Sequence, residues 1–288
     1  MATSLSTDGP DADPLDWCRR RLLMPGHPLA LTLPYAAPEI RDSLLSLHAV
    51  ISEIAAIPDA VSEPEVARRK LDWWRQALVR GERHPALLAW RASGGDARLA
   101  PTAFTTLLDA VALEIEPPRF DQNRELYAHA DHVAGPAASL EAQLIGGETP
   151  SREALESVAG AAYRIRIVRD LVLDARQDRW LVPLELQAEF QLTRQQVAAG
   201  AGEHRLRALV RGMAADALRD LDRGLGVIDA GVAWRHRHWM LRMGLERRLG
   251  KHLLQRPARV VRERVTAAGP LAGFAVWRQA RRLRAARP

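Results

Sequence analysis

The sequence predicts an all-α protein folded as a single domain. Apolar residues recur at three- and four-residue steps along most of its 288 residues, the spacing of one helix face. Strand signals are nearly absent: aromatic residues make up 5% and no long period-two run appears, so a sheet has little to build on. Breaks such as Gly146-Gly147 are short turns between helices, and no Pro/Gly/Ser-rich linker or fixed-period repeat divides the chain.

The elements follow in order. A first helix over 13–23 is stopped by Met24-Pro25-Gly26-His27-Pro28. A second over 38–56 carries Ile40, Leu44, Leu47, Ile51 and Ile54 on one face, with Pro38 suited to its first turn. A third over 64–79 begins at Ser62-Glu63-Pro64-Glu65, read as cap and first turn, and carries Val66, Leu71, Trp74 and Leu78. Trp73 and Trp74 read as core packing. Further helices are predicted over 101–113, 122–144, 151–178, 193–200, 206–228, 233–254 and 257–268.

Composition narrows the class without choosing a function. Hydrophobic content of 47% with 26% charged residues is ordinary for a soluble globular chain. The lone Cys18 excludes a disulfide framework and a cysteine-built metal site, and it points to a reducing compartment. No run of about 18 apolar residues exists, and residues 1–14 are acidic and polar, unlike a secretory signal. A cytoplasmic protein is therefore expected.

Net charge is +6, and the excess lies late in the chain. From Arg235 to Arg287 the only acids are Glu246 and Glu263. Such a block suits an anionic leaflet, a diphosphate or nucleic acid, but no nucleic-acid readout motif accompanies it, so no nucleic-acid partner is expected. Residues 274–284 combine apolar and cationic faces, as either an interfacial helix or a snorkelling helix that closes the fold would.

The stretch richest in chemistry is Arg169-Asp170-Leu171-Val172-Leu173-Asp174-Ala175-Arg176-Gln177-Asp178-Arg179. Each four-residue step along a helix turns the face by only about 40°, so Asp170, Asp174 and Asp178 form one acidic stripe. Leu171, Val172 and Leu173 supply the apolar side, which places the stripe on a cavity wall. The alternative is a surface laced with salt bridges. Oxygen donors on adjacent turns suit Mg²⁺, which takes one or two carboxylates plus phosphates, and the arginines would grip those phosphates. Elsewhere, His236 and His238 are two residues apart on different helix faces, which argues against a shared metal. His48 on an apolar face reads as a core histidine.

In order, Leu47-His48-Ala49-Val50, Leu71-Asp72-Trp73-Trp74-Arg75, Val133-Ala134-Gly135, the Ile167–Arg176 run and Trp180-Leu181-Val182-Pro183 resemble the squalene/phytoene synthase family. The resemblance spans roughly residues 31–265. It implies an isoprenoid-synthase-like helical bundle around a central cavity, here a domain over 15–268 between a flexible 1–14 and a basic tail or helix over 269–288. Active members of the family use two facing Asp-x-x-x-Asp motifs and Mg²⁺ to ionise and join two prenyl diphosphates head to head.

The departures carry as much information. Where active synthases resemble Arg-x-x-Asp-Asp-x-x-Asp, this chain reads Ser52-Glu53-Ile54-Ala55-Ala56-Ile57-Pro58-Asp59. Only Asp59 remains of that motif. Glu53 is rotated from Asp59 by about 240° on a helix, and Pro58 disturbs the helix there. The family's metal-binding asparagine falls on Arg166 and the glutamine before it on Tyr163. Its first tyrosine ahead of Val-Ala-Gly falls on His129, and its late tyrosine on Trp239. Arg166 beside Arg169 adds positive charge where a metal ligand should stand, which weakens cation binding.

These observations predict a squalene/phytoene-synthase-like protein that is non-catalytic and binds a lipid, diphosphate or protein partner. Arg166, Arg169 and Arg176 would hold a prenyl diphosphate or phospholipid headgroup. Asp170, Asp174 and the isolated Asp59 would bind Mg²⁺ weakly at most. The lone aspartate before Val61-Ser62-Glu63-Pro64-Glu65 is similar to the branch that includes a mitochondrial respiratory complex I assembly factor. Peripheral contact with the inner membrane face is expected from the basic C-terminus. The alternative is a Mg²⁺-dependent head-to-head prenyltransferase.

Overall fold

The computed structural model describes residues 13–116 and 118–287. The expectation of a flexible 1–14 therefore lies almost wholly outside the described residues. Sixteen α-helices follow in order: α1 (Pro14–Leu22), α2 (Pro28–Thr32), α3 (Arg41–Ala55), α4 (Ile57–Ala60), α5 (Pro64–Arg80), α6 (Pro85–Ala92), α7 (Thr105–Ala112), α8 (Asn123–Ile145), α9 (Arg152–Arg176), α10 (Leu184–Glu189), α11 (Arg194–Ala198), α12 (Glu203–Gly226), α13 (Ala230–Arg235), α14 (Arg237–Gln255), α15 (Arg259–Arg262) and α16 (Ala272–Ala285). No strand occurs among the described residues.

Local chemistry explains most boundaries. Asp13 caps α1 by accepting from the Leu15 amide, and Gln122 and Glu125 form a capping box that starts α8. Gly81, in the left-handed region at φ 71°, ends α5. Where the expectation was a side-chain cap at the start of α5, Glu63 holds the N-cap position and makes no capping hydrogen bond; Pro64 supplies the fixed φ instead. The predicted 257–268 helix shrinks to Arg259–Arg262, because Glu263 is extended and Thr266 Oγ1 accepts from the Ala268 amide, a local turn that competes with a helix.

Two apolar clusters make the interior. One joins α1, α3, α5, α6 and α7 around Leu44, Leu47, Leu71, Trp74 and Phe104. The other surrounds α9, α12 and α14, and it includes Val276 and Ala280 of α16. Helix α8 belongs to both: Leu140 and Leu144 face the first, Ala138 and Ala142 the second. It packs so closely on α9 that a Cβ on Gly160 would lie 1.8 Å from Asp131 Oδ1, and one on Gly135 would lie 2.6 Å from Glu156 Cγ. The Val133-Ala134-Gly135 motif thus lets two long helices meet while Val133 and Ala134 face the space between the clusters. The Trp pair divides: Trp74 is buried, whereas Trp73 is 42% exposed.

Candidate functional site

A cavity of about 450 Å³ lies between the two clusters. Its middle is apolar, with Ala134, Ala137, Ala162, Leu107, Trp239 and Met243 in the wall. Its polar groups gather in two places, Asp59, Glu114, Tyr163, Arg166 and Arg179 in one and His48 and Arg242 in the other.

The first group is wired through Glu114. His129 Nε2 and the Tyr163 hydroxyl each donate to its carboxylate at 2.6 Å, and Arg179 pairs with it as well. Arg179 also reaches Tyr163 Oη at 3.2 Å and Asp59 at 3.4 Å. Burial opposes the charge on Glu114, but His129, Arg179 and Tyr163 together hold its carboxyl below the ordinary range. Burial and the facing Glu114 push the Tyr163 hydroxyl up, so it remains a donor. The residues expected as substituted positions, His129 and Tyr163, therefore bind a carboxylate rather than a metal.

Arg179 owes its aim to the end of α9. The Arg179 amide donates to the Asp174 carbonyl at 2.9 Å, and Asp178 between them has φ 62°. This is a Schellman-type stop, in which a left-handed residue turns the chain back on its own helix. The expected stripe of three aspartates is accordingly corrected to two: Asp178 lies past the helix, exposed and paired with Arg194 at 2.8 Å. Arg176, expected to grip phosphate, is exposed in the last turn of α9 and outside the cavity wall. Arg179 takes the position inside.

Asp170 and Asp174 stand on α9 beside the cavity but do not line it. Asp170 is bound by Arg169 and, across both oxygens, by Arg264 at 2.8 and 3.0 Å. Burial would raise its pKa, yet these two guanidinium groups lower it. Asp174 has no ion pair within reach among the described residues, and burial pushes its carboxyl up to about 6, with Asp170 and Asp59 adding repulsion against the pull of Arg179. Asp59, Asp170 and Asp174 thus share one electrostatic neighbourhood. Arg264 feels all three. Arg166 lines the cavity and is paired with Glu246 at 3.1 Å.

The donor set fits the family's Mg²⁺ poorly. Hard-cation sites need several free oxygens on converging walls, and here Asp170 is engaged by two arginines. On the facing α3 wall the motif positions are Ser52 and Ala55. Glu53 turns to Arg21, 2.7 Å away, and to His84. The guanidinium of Arg264 occupies both oxygens of Asp170 and is favoured electrostatically by Asp174 and Asp59 as well.

The second polar group was not foreseen in composition or spacing. Glu141, fully buried in α8, is held by Arg242 at 2.7 Å and lies beside His48 and His238. Its one visible mark in the sequence is a carboxylate among Leu140, Ala142 and Leu144. His236 diverges from His238 and meets the Glu148 carbonyl at 3.1 Å.

A helical bundle around a cavity with apolar, basic and acidic groups in its wall is the architecture that the sequence resemblance implied. A sequence profile of the squalene/phytoene synthase family matches residues 25–269, and the chain belongs to that family. It is 22% identical over 213 residues to phytoene synthase 2 of Oryza sativa subsp. japonica and 23% identical over 182 residues to phytoene synthase 1 of Arabidopsis thaliana. These alignments take in 68% and 57% of this chain, and 53% and 41% of the relatives. The chain spans about half the length of the curated relatives it matches. In structure it is similar to a dehydrosqualene synthase solved with a ligand, with TM-score 0.70, 12% identity and coverage of 94% of this chain and 95% of that one. Squalene synthase HpnC from Alicyclobacillus acidocaldarius gives 0.66, 16%, 85% and 94%.

Proposed function

We propose that the cavity binds an amphipathic phosphate ligand, a prenyl diphosphate or a phospholipid, without ionising it. The observation that carries this reading is Arg264 on Asp170, which occupies the carboxylate of the surviving motif, together with an α3 wall that presents Ser52 and Ala55 at the positions of the lost one. Arginine holds phosphate by charge-assisted hydrogen bonds without a metal. Arg166 and Arg179 border the cavity, and the Ala-rich middle accepts an apolar chain. Ionising a diphosphate asks for strong stabilisation of the leaving group. Arg166 and Arg179, each with five N–H donors, can spare some for a phosphate, but their pairs with Glu246, Glu114 and Asp59 reduce the net positive charge they lend it.

An assembly or scaffold role, by analogy with the complex I assembly factor branch that the Asp59 region resembles, is the form of this reading that includes a protein partner. The prenyltransferase reading retains one supporting observation: Asp174 makes no ion pair among the described residues and could take a cation. A turnover assay with farnesyl and geranylgeranyl diphosphates and Mg²⁺, followed by product extraction, separates the two. We expect saturable binding of the diphosphates by native mass spectrometry and no head-to-head hydrocarbon. Robust product would establish the enzyme.

A further inference from the structure

We propose that His48, Glu141 and His238 form a site for one transition-metal ion of zinc-like preference, set in the wall opposite the aspartate stripe. The three residues come from α3, α8 and α14, so the fold and not local sequence assembles them. His48 Nε2 lies 3.4 Å from Glu141 Oε2, His238 Nε2 lies 3.6 Å from Glu141 Oε1, and the two Nε2 atoms are 3.5 Å apart. One nitrogen from each histidine and one oxygen of the carboxylate therefore lie within 4.8 Å of one another, close enough for a single ion to reach all three with modest side-chain adjustment to bonds of about 2.0–2.2 Å, the range for Zn²⁺ with imidazole and carboxylate. All three residues are close to full burial.

Unmet valences support the assignment. Glu141 Oε1 is buried with no hydrogen-bond partner among the described residues, and an orphaned carboxylate oxygen in an interior is costly. Two imidazole nitrogens face each other where at most one can donate.

Arg242 is the group most able to exclude a cation. Its Nη1 lies 3.1 Å from Nδ1 and 3.0 Å from Nε2 of His48. With Nη1 this close to His48 Nε2, a metal takes that nitrogen only as the arginine swings away from the ring. Its Nη2 holds Glu141 Oε2 from outside, as a supporting partner of a metal carboxylate does. Arg242 and His48 border the cavity, which gives the arginine room to withdraw and leaves the ion's fourth position facing the cavity. The His₂Glu set favours a borderline ion over Mg²⁺.

The test uses the full chain, stripped with chelator and titrated with Co²⁺ at neutral pH. We expect one equivalent to bind with the visible bands of four-coordinate cobalt, Zn²⁺ to displace it and Mg²⁺ not to. His48→Ala, at the cavity wall, should weaken binding more than tenfold, with circular dichroism confirming that it folds, whereas Asp170→Asn and Asp174→Asn should leave the cobalt bands unchanged. Absence of stoichiometric cobalt binding to the wild-type chain, or wild-type affinity in folded His48→Ala, would overturn the proposal. Should His48→Ala fail to fold, Glu141→Gln with the same readout replaces it and the same two outcomes decide.

Discussion

Arg264 grips Asp170 with two parallel hydrogen bonds, Nε to Oδ1 at 2.8 Å and Nη2 to Oδ2 at 3.0 Å, from a segment 94 residues away in sequence. Its charge is further favoured by Asp174 and Asp59, so a tethered guanidinium serves the cluster as a built-in counter-cation. Replacing it by Arg264→Gln should leave three carboxylates to repel one another. We expect a lower Tm in chelator and a partial return on adding Mg²⁺, with little Mg²⁺ effect on wild type. Asp170 has a lowered folded pKa, so its contribution is present above about pH 4 and lost as pH falls through the folded value. The deficit of the variant should therefore shrink in acid. A Mg²⁺ response equal to that of wild type in thermal-shift measurements would show that Arg264 does not stand in for a cation.

Asp174 titrates in the opposite sense. Burial raises its folded pKa to about 6, well above the ordinary carboxylate range, so the folded state binds the proton more tightly. Stability is greatest below the unfolded value and falls as pH rises towards 6, after which the full cost of the buried charge remains. Asp174→Asn should thus stabilise the protein at pH 7–8 by on the order of 1–2 kcal/mol, allowing for partial solvent screening. The gain should vanish near pH 4. Urea melts across that range check it, and a pH-independent difference between the two proteins would be the contrary result.

The end of α9 offers a backbone test. Asp178 adopts φ 62°, which Asp tolerates and β-branched residues resist. Asp178→Val should cost about 1–2 kcal/mol and disturb the turn that directs Arg179 to Glu114. Asp178→Gly keeps the turn, and its exposed pair with Arg194 is worth little, so stability should stay within about 0.5 kcal/mol of wild type. Equal denaturation midpoints for Val and Gly would mean that the left-handed turn is not needed.

Legibility in the sequence followed the range of the interactions. The helices, and the shared helix face of Asp170 and Asp174, were readable because helical periodicity is local; the expected place of that face on the cavity wall was not, since neither residue lines the cavity. Asp178 was misplaced on the stripe because spacing cannot show where a Schellman turn reverses the chain. The same reversal exchanged Arg176 for Arg179 at the cavity. Glu114 and Glu141 escaped notice because their partners, His129, Tyr163 and Arg179 for one and His48, His238 and Arg242 for the other, lie on separate helices. Arg264 was counted only as part of a basic block. Its role depends on a contact that no sequence period encodes.

The last prediction concerns α16. No helix among the described residues is long and apolar enough to cross a membrane, yet α16 and its N-cap present Leu271, Phe274 and Trp277 to solvent while Val276 and Ala280 pack inward. Phe274 and Trp277 rings lie 5.5 Å apart, and Arg281 lies over the Trp277 ring. Alongside runs a groove bordered by Arg247, Arg248, Lys251, Arg278 and Arg282. Apolar side chains beside clustered cations are what an anionic bilayer surface retains, each cation near the surface adding about 1 kcal/mol. Trp277→Ala with Phe274→Ala removes exposed rings only, so folding should persist while attachment weakens several-fold. Wild type should float with anionic vesicles at low salt, release as salt shortens the screening length towards about 10 Å near 0.1 M, and ignore neutral vesicles. Equal flotation of wild type and the double variant would exclude these rings as the anchor, and failure of wild type to float at low salt would exclude the membrane contact itself.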